Sequence, residues 1–281
     1  MHGVIVCEVS LNGARYIARL DMPARLHLPL EFERPDGPAA RQPNHFGAPR
    51  ARAWPLRAGD FTGDTRAGGS CNAYTFELTP HCNGTHTETA EHLTGERVGI
   101  DALLEDTLQP ATLISVAPQP PDATREHAAH PFSPQDRLVT GATLQAGLES
   151  VPPTAALIVR TLPNDPGKRE RTYQGESPAP YFTLEAADFL ADRGVRHLLI
   201  DLPSLDRAHD EGHLGAHRRF WRLPAGADAT PPPPRRHCTI TEMVFVEDDL
   251  ADGLYLLNLQ IAPFRSDSAP ARVIVFPLEQ K

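Results

Sequence analysis

The twelve residues His81-Cys82-Asn83-Gly84-Thr85-His86-Thr87-Glu88-Thr89-Ala90-Glu91-His92 hold three of the chain's 13 histidines. Cys82, His86, Glu88 and His92 share parity, so an extended backbone projects them to one side. Gly84 falls on that side without a side chain, which leaves room for a ligand or an ion. Asn83-Gly84 opposes a continuous helix, so the segment reads as strand, tight turn, and strand or loop. Thiolate, imidazole and carboxylate form the donor set of zinc-like metals. The same residues also fit a hydrogen-bonded polar loop whose histidines cap and bridge, or a Cys82–histidine nucleophile pair.

Two further clusters bear on the choice. Alternation over Thr239 to Val246 puts Cys238, Ile240, Glu242, Val244 and Val246 on one face. A carboxylate inside an apolar stripe must be paired, protonated or metal-bound, because its desolvation otherwise costs several kcal/mol. A salt bridge to an arginine and metal ligation both satisfy that demand. His209, His213 and His217 stand at i, i+4 and i+8, which stacks them on one face of a helix. Gly212 and Gly215 oppose that helix and leave solvated histidines as the alternative. Just upstream, Asp201, Ser204 and Asp206 follow an apolar strand, and strand ends in α/β sheets are where sites collect.

The elements that must position these residues are short. Val4 to Leu11, the turn Asn12-Gly13, and Ala14 to Leu20 read as an N-terminal β-hairpin. An extended piece follows at Leu26 to Phe32. Residues 33–70 form a long loop rich in proline and glycine, of the kind that is functional or wrapped over a surface. Strands are expected at Asn72 to Leu78, Ala111 to Val116, Ala155 to Leu162, Val195 to Asp201, Thr239 to Val246, Leu254 to Ile261 and Arg272 to Phe276. Helices are expected over Thr140 to Glu149 and, capped by Thr183, through Asp192, ending at Arg193-Gly194. Pro231 to Pro234 reads as a stiff connection. Strands outnumber helices, which gives an α/β chain with a mixed sheet in a single domain over residues 1–281.

Composition excludes several classes. With 29 prolines and 20 glycines in 281 residues, coiled coils, helical bundles and solenoids are ruled out. Twenty-seven basic against 36 acidic residues give a net charge of −9, and no Lys/Arg run exceeds two. That is not the footprint of a nucleic-acid binder. The apolar run near the N-terminus is too short for a secretory core, and no 18 consecutive residues are apolar, so no membrane partner is expected. The four cysteines, Cys7, Cys71, Cys82 and Cys238, lie far apart, so a disulfide scaffold is not expected and a cytoplasmic location is.

Gly84-Thr85-His86, Glu88 and His92 resemble the signature His-x-Gly-Thr-His-x-Asp-x-Pro-x-His of the cyclase family, the metal-dependent kynurenine formamidases and their relatives. The resemblance continues through DLPSLD at Asp201 to Asp206, AHRRFW at Ala216 to Trp221, and the segment from Ile240 to Phe264. It spans roughly residues 60–281, about four-fifths of the chain, and leaves residues 1–57 as hairpin and loop. Cysteine stands where the signature has its first histidine, Glu88 where it has aspartate, and Ala90 where it has proline.

The resemblance implies a barrel-like mixed sheet with flanking helices. It implies metal ligands at Cys82, His86, Glu88, His217 and Glu242, and proton transfer by His92. His81 is the alternative to Cys82, although its parity is wrong for an extended segment. Asp201, Ser204 and Asp206 would support the site by orienting His217. The implied ion is divalent: zinc, which a cysteine ligand favours, or manganese, as one ion or two. The implied activity is hydrolysis of an amide or lactone-like carbonyl, with N-formylkynurenine of tryptophan catabolism as favoured substrate, in a homodimer. The other expectations are a Cys82-dependent amidase and a silent small-molecule-binding relative that has lost its metal.

Overall fold

Asn12 and Gly13 both adopt positive φ, 51° and 81°, the conformation a two-residue hairpin turn demands. They join strands β1 (Val6–Leu11) and β2 (Ala14–Arg19) with Leu11 opposite Ala14. The computed structural model describes residues 6–35, 37–173, 179–224 and 233–281. Val4 and Ile5 of the expected hairpin, and Pro231 and Pro232 of the expected stiff connection, lie outside the described residues.

The central sheet comprises these two strands and eight more. They are β3 (Ala24–Arg25), β4 (His86–Glu88), β5 (Leu108–Val116), β6 (Ala156–Thr161), β7 (His197–Ile200), β8 (Thr239–Glu242), β9 (Gly253–Ile261) and β10 (Ser268–Gln280). Seven of them close into a ring in the order β10-β9-β5-β6-β7-β8-β4, with β4 pairing back onto β10. β5, β6, β7 and β8 run parallel to one another, whereas β9, β10 and β4 pair antiparallel with their neighbours. The result is a closed mixed barrel, the architecture expected from the resemblance. The hairpin and β3 extend it along β10.

Each parallel step needs a crossover, and each crossover carries a helix. Between β5 and β6 lies α2 (Gly141–Leu148), between β6 and β7 α3 (Leu184–Asp192), and between β7 and β8 α4 (Gly215–Trp221). A fourth, single-turn helix, α1 (Ile100–Leu103), precedes β5. Thr140 and Thr143 cap α2 reciprocally, each hydroxyl accepting the other's backbone N–H at 3.1 Å. Thr183 caps α3 by accepting from Ala186 N, and Gly194 at φ 79° lies just past its end.

Alternation along the strands divides the core in two. Leu157, Val159, Leu198 and Ile200 pack on the helix side with Leu144, Leu190 and Trp221. Ala156, Ile158 and Leu199 point the other way, into the barrel, to meet Leu113, Leu257 and Val273. All six residues of β6 are therefore buried, as in any strand covered on both faces. Trimming one of these large side chains, as in Ile158→Ala, costs about 2–5 kcal/mol.

Two expectations fail locally. The extended piece expected at Leu26 to Phe32 forms no strand of its own: the ladder on β10 covers Ala24 and Arg25, and Leu26 N makes one further bond, to Val273 O at 3.0 Å. Residues 33–70 are not structureless: Arg52–Pro55 pairs with Tyr74–Glu77, and Asn44–His45 pairs with Thr172–Tyr173. Among the described residues no helix is long and apolar enough to cross a membrane.

Candidate metal centre

Thr79 O accepts hydrogen bonds from both Cys82 N and Asn83 N, at 2.9 and 3.0 Å, and Asn83 Oδ1 accepts from Thr79 N at 2.7 Å. The ligand segment thus opens with a closed turn, and side-chain parity does not apply to it. His81 swings inward, with Nδ1 2.8 Å from Glu88 Oε2. Gly84 is not an empty space for an ion. Its φ is +78°, and a Cβ there would face Leu30 Cδ1 at 3.4 Å, so glycine serves the left-handed backbone. Extended geometry covers only β4, where His86 and Glu88 do share a face. His92 reaches the same cavity from a 3-10 turn, Ala90–Leu93, capped by Thr89.

β8 supplies Glu242 directly opposite His86. Cys238 and Ile240 belong to the helix-side core, and Glu242 follows their parity. The Thr87 and Thr241 hydroxyls meet at 2.8 Å on the opposite face of the same two strands. The predicted stripe ends there. Met243 takes φ +54°, the strand stops at Glu242, and Val244 and Val246 turn to the barrel core instead.

The third element is α4. Glu211, Gly212 and Leu214 all have positive φ, so no helix runs through His209, His213 and His217. Only His217 is helical. Asp206 holds it: Oδ2 accepts from His217 Nδ1 at 2.7 Å and from His217 N at 3.0 Å, while Oδ1 accepts from Ala216 N at 2.8 Å. Ser204 Oγ accepts from Asp206 N at 3.2 Å. Asp201 takes no part. Its carboxylate is engaged by Lys168 Nζ at 2.7 Å and by Thr161, so it braces β6 against β7.

These residues meet on the helix side of the barrel. His217 Nε2 lies 2.9 Å from Glu88 Oε1 and 3.5 Å from Glu242 Oε1, and His86 Nε2 lies 3.4 Å from Glu242 Oε2. Glu242 Oε1 also accepts from Leu205 N at 2.9 Å. Glu88 and Glu242 are both buried. Burial raises the pKa of both, and the charge of Glu88 adds to the rise at Glu242, but the facing histidines more than offset this and hold both carboxyls below the usual range. Burial likewise lowers His217, and Glu88 and Asp206 reverse the shift to well above the ordinary value. His81 is pushed up to about 10: burial opposes protonation, but Asp267 and Glu88 outweigh it. Two buried carboxylates here demand positive charge.

A divalent cation meets that demand with the donors present. His86 Nε2 and Glu88 Oε1 are buried and lack a hydrogen-bond partner despite their close neighbours. Donor atoms of Glu88, His217 and Glu242 lie within 4.8 Å of one another, as do those of His81, His86 and Glu88. Cys82 lines the cavity but belongs to neither group, and burial, with the charge of Glu242, pushes its thiol up.

No motif in the sequence singles out Asp267, whose Oδ2 accepts from His81 Nε2 at 2.7 Å and lies 3.5 Å from His92 Nδ1. None singles out His45 and Phe46 either, which line the cavity of about 640 Å³ over the site. Nothing local marks Asp267; pairing of Ser268 with Glu88 at the barrel's closing seam brings it there. His209 lines the cavity too, whereas His213 lines a separate surface depression.

The model of the family described as "Putative cyclase" matches residues 25–207, nearly two-thirds of the chain. The chain belongs to this family. Among curated relatives, a kynurenine formamidase from Bacillus cytotoxicus is 33% identical over 100 residues, and one from Bacillus cereus is 30% identical over 100. Each match covers 35% of this chain and 41% of the relative, so the aligned stretch spans about two-fifths of the length of those proteins. The fold resembles that of a predicted metal-dependent hydrolase from Bacillus stearothermophilus, with a TM-score of 0.57 and 17% identity over 91% of this chain and 98% of that one. It also resembles isatin hydrolase A from Labrenzia aggregata, with a TM-score of 0.57 and 17% identity over 92% and 94%.

Proposed function

We propose that this cyclase-family protein is a metal-dependent hydrolase of an amide carbonyl, acting on N-formylkynurenine or a related small aromatic or cyclic amide. The pair of buried, unpartnered donors, His86 Nε2 and Glu88 Oε1, facing His217 and Glu242, carries the reading. His86, Glu88, His217 and Glu242 would hold the divalent ion, with His81 in the place the signature gives to Cys82. A set of imidazole and carboxylate donors suits zinc and manganese alike, so the bias to zinc that a thiolate would bring falls away. The kynurenine formamidases among the relatives favour the N-formyl substrate, and a cavity of about 640 Å³ suits a small molecule.

When bound, such an ion lowers the pKa of water toward ~7 and polarises a carbonyl oxygen. The chain's own residues do the rest. Asp206 fixes the tautomer of His217 so that Nε2 faces the carboxylates. His92, at the cavity wall, takes a proton from the attacking water on Nε2 and returns it to the leaving amine, a role worth ~10²–10⁴-fold. His45 and Phe46 line the cavity and would present aromatic rings to a planar substrate.

Metal analysis combined with an N-formylkynurenine assay tests the reading. It expects stoichiometric zinc or manganese, turnover lost to EDTA and restored by either ion, and turnover reduced by His92→Ala. Activity that survives complete metal removal but not Cys82→Ser would replace it with the cysteine amidase, which the raised Cys82 thiol disfavours. Metal-free protein that binds but does not hydrolyse aromatic amides would make it the silent relative.

A further inference from the structure

His92 is the group to which the mechanism gives a proton, so whatever fixes its ring decides where that proton goes. The ring stacks on His81 with centroids 4.1 Å apart and planes inclined by 29°. His81 Nε2 hydrogen-bonds to Asp267 Oδ2 at 2.7 Å, and His92 Nδ1 lies 3.5 Å from the same oxygen. Asp267 is itself held on three sides. Its backbone carbonyl accepts from Thr89 N at 3.0 Å and from the Thr89 hydroxyl at 3.3 Å, and Ser266 Oγ donates to Oδ1 at 2.9 Å. Thr89 is also the cap of the turn that carries His92. The next residue, Ser268, is in register with Glu88 across the closing seam of the barrel. A single segment therefore sets the backbone of Asp267, the turn of His92 and the strand of Glu88 against one another.

We infer that Asp267 is a positioning residue for His92: its carboxylate holds the ring with the proton on Nδ1, leaving Nε2 free to exchange protons with the substrate. A carboxylate in contact with one ring nitrogen selects the tautomer and orientation of the other. Asp267 ties His81 to the same anchor, so the donor beside Glu88 and the proton carrier keep a fixed spacing. This inference rests on the proposed hydrolase reading only for its kinetic consequence; the tautomer is a property of the protein alone.

The test uses the isosteric Asp267→Asn, with Asp267→Glu as the conservative variant. In the full chain, with and without added zinc, long-range ¹H–¹⁵N spectra of the His92 imidazole are expected to show the Nδ1–H tautomer. Asp267→Asn should lose it, because the amide can donate to Nδ1 and favour Nε2–H; Asp267→Glu should keep it. Against N-formylkynurenine, Asp267→Asn should lower kcat by about 10- to 100-fold with KM changed less than about threefold, and Asp267→Glu should recover part of the loss. In a His92→Ala background, Asp267→Asn should add less than about twofold. An unchanged tautomer in Asp267→Asn overturns the inference whatever the substrate, and so does a full multiplicative loss in the double variant. Wild-type protein with the Nδ1–H tautomer but no amide turnover would instead overturn the hydrolase reading and leave the positioning of His92 standing.

Discussion

Asp206 grips His217 twice, by the ring Nδ1 at 2.7 Å and by the backbone N at 3.0 Å, and takes Ala216 N with its other oxygen. One carboxylate thereby caps the first turn of α4 and orients the ring of the histidine that this turn carries. Leu214, the residue before the helix, offers no side-chain cap of its own. Positioning and local folding are the same interaction here.

Asp206→Asn keeps the shape but loses charge and one acceptor. The expected result is a 10- to 100-fold weaker affinity for zinc, the usual effect of removing a carboxylate behind a ligating histidine. Competition with a chromogenic chelator reads it directly. Unchanged affinity would separate His217 from the ion.

The geometry makes His81, not Cys82, the partner of His86 and Glu88. Cys82→Ser should therefore leave metal stoichiometry unchanged, while His81→Ala and His86→Ala should each lower it, by elemental analysis of purified protein. Loss of metal in Cys82→Ser with retention in His81→Ala would return the thiol to the ligand set.

Gly84→Ala should destabilise the fold without touching a donor. Placing alanine at φ +78° costs roughly 1–2 kcal/mol, and the new methyl meets Leu30 at the edge of ordinary contact, 3.4 Å. Denaturant melts should show this loss with an unchanged m-value. A neutral result would mean that the backbone relaxes out of the left-handed region.

Acid should weaken the fold through His197, buried in β7 with Nδ1 2.9 Å from the Thr239 hydroxyl. Burial pushes its pKa down from 6.5 to about 4, with the charge of Arg196 adding to the shift. The folded state thus binds fewer protons than the unfolded one between these values. Its contribution is complete above pH 6.5 and is lost as pH falls toward 4, by roughly 3 kcal/mol in all. His197→Asn should flatten this part of the stability profile in urea melts between pH 7 and 4. A parallel slope in the variant would assign the acid limb to other groups.

Much of this was legible in the chain. Asn12-Gly13 announced its hairpin, and Thr140 and Thr183 announced their helices, because turns and caps are decided by residues a few positions apart. His86, Glu88, His217 and Glu242 were singled out from spacing and resemblance, and the fold brings these four together. The failures share one cause. Alternation assumes a continuous extended backbone, and single residues interrupt it: Met243 turns Val244 and Val246 away from the face of Glu242, and the 79–83 turn carries His81 inward. Asp267 depends on ring closure across 179 residues from Glu88, which no local pattern encodes.

The three residues of β4 are hydrogen-bonded on both flanks, and they carry the chemistry and close the ring at once. Sliding this strand by one position would exchange His86 and Glu88 for Thr87, pointing an imidazole and a carboxylate into hydrocarbon and threonine at the ligands. Insertions or deletions are therefore barred from this strand twice over. Variation in the site must come by substitution in place, and not by drift of the backbone that bears it.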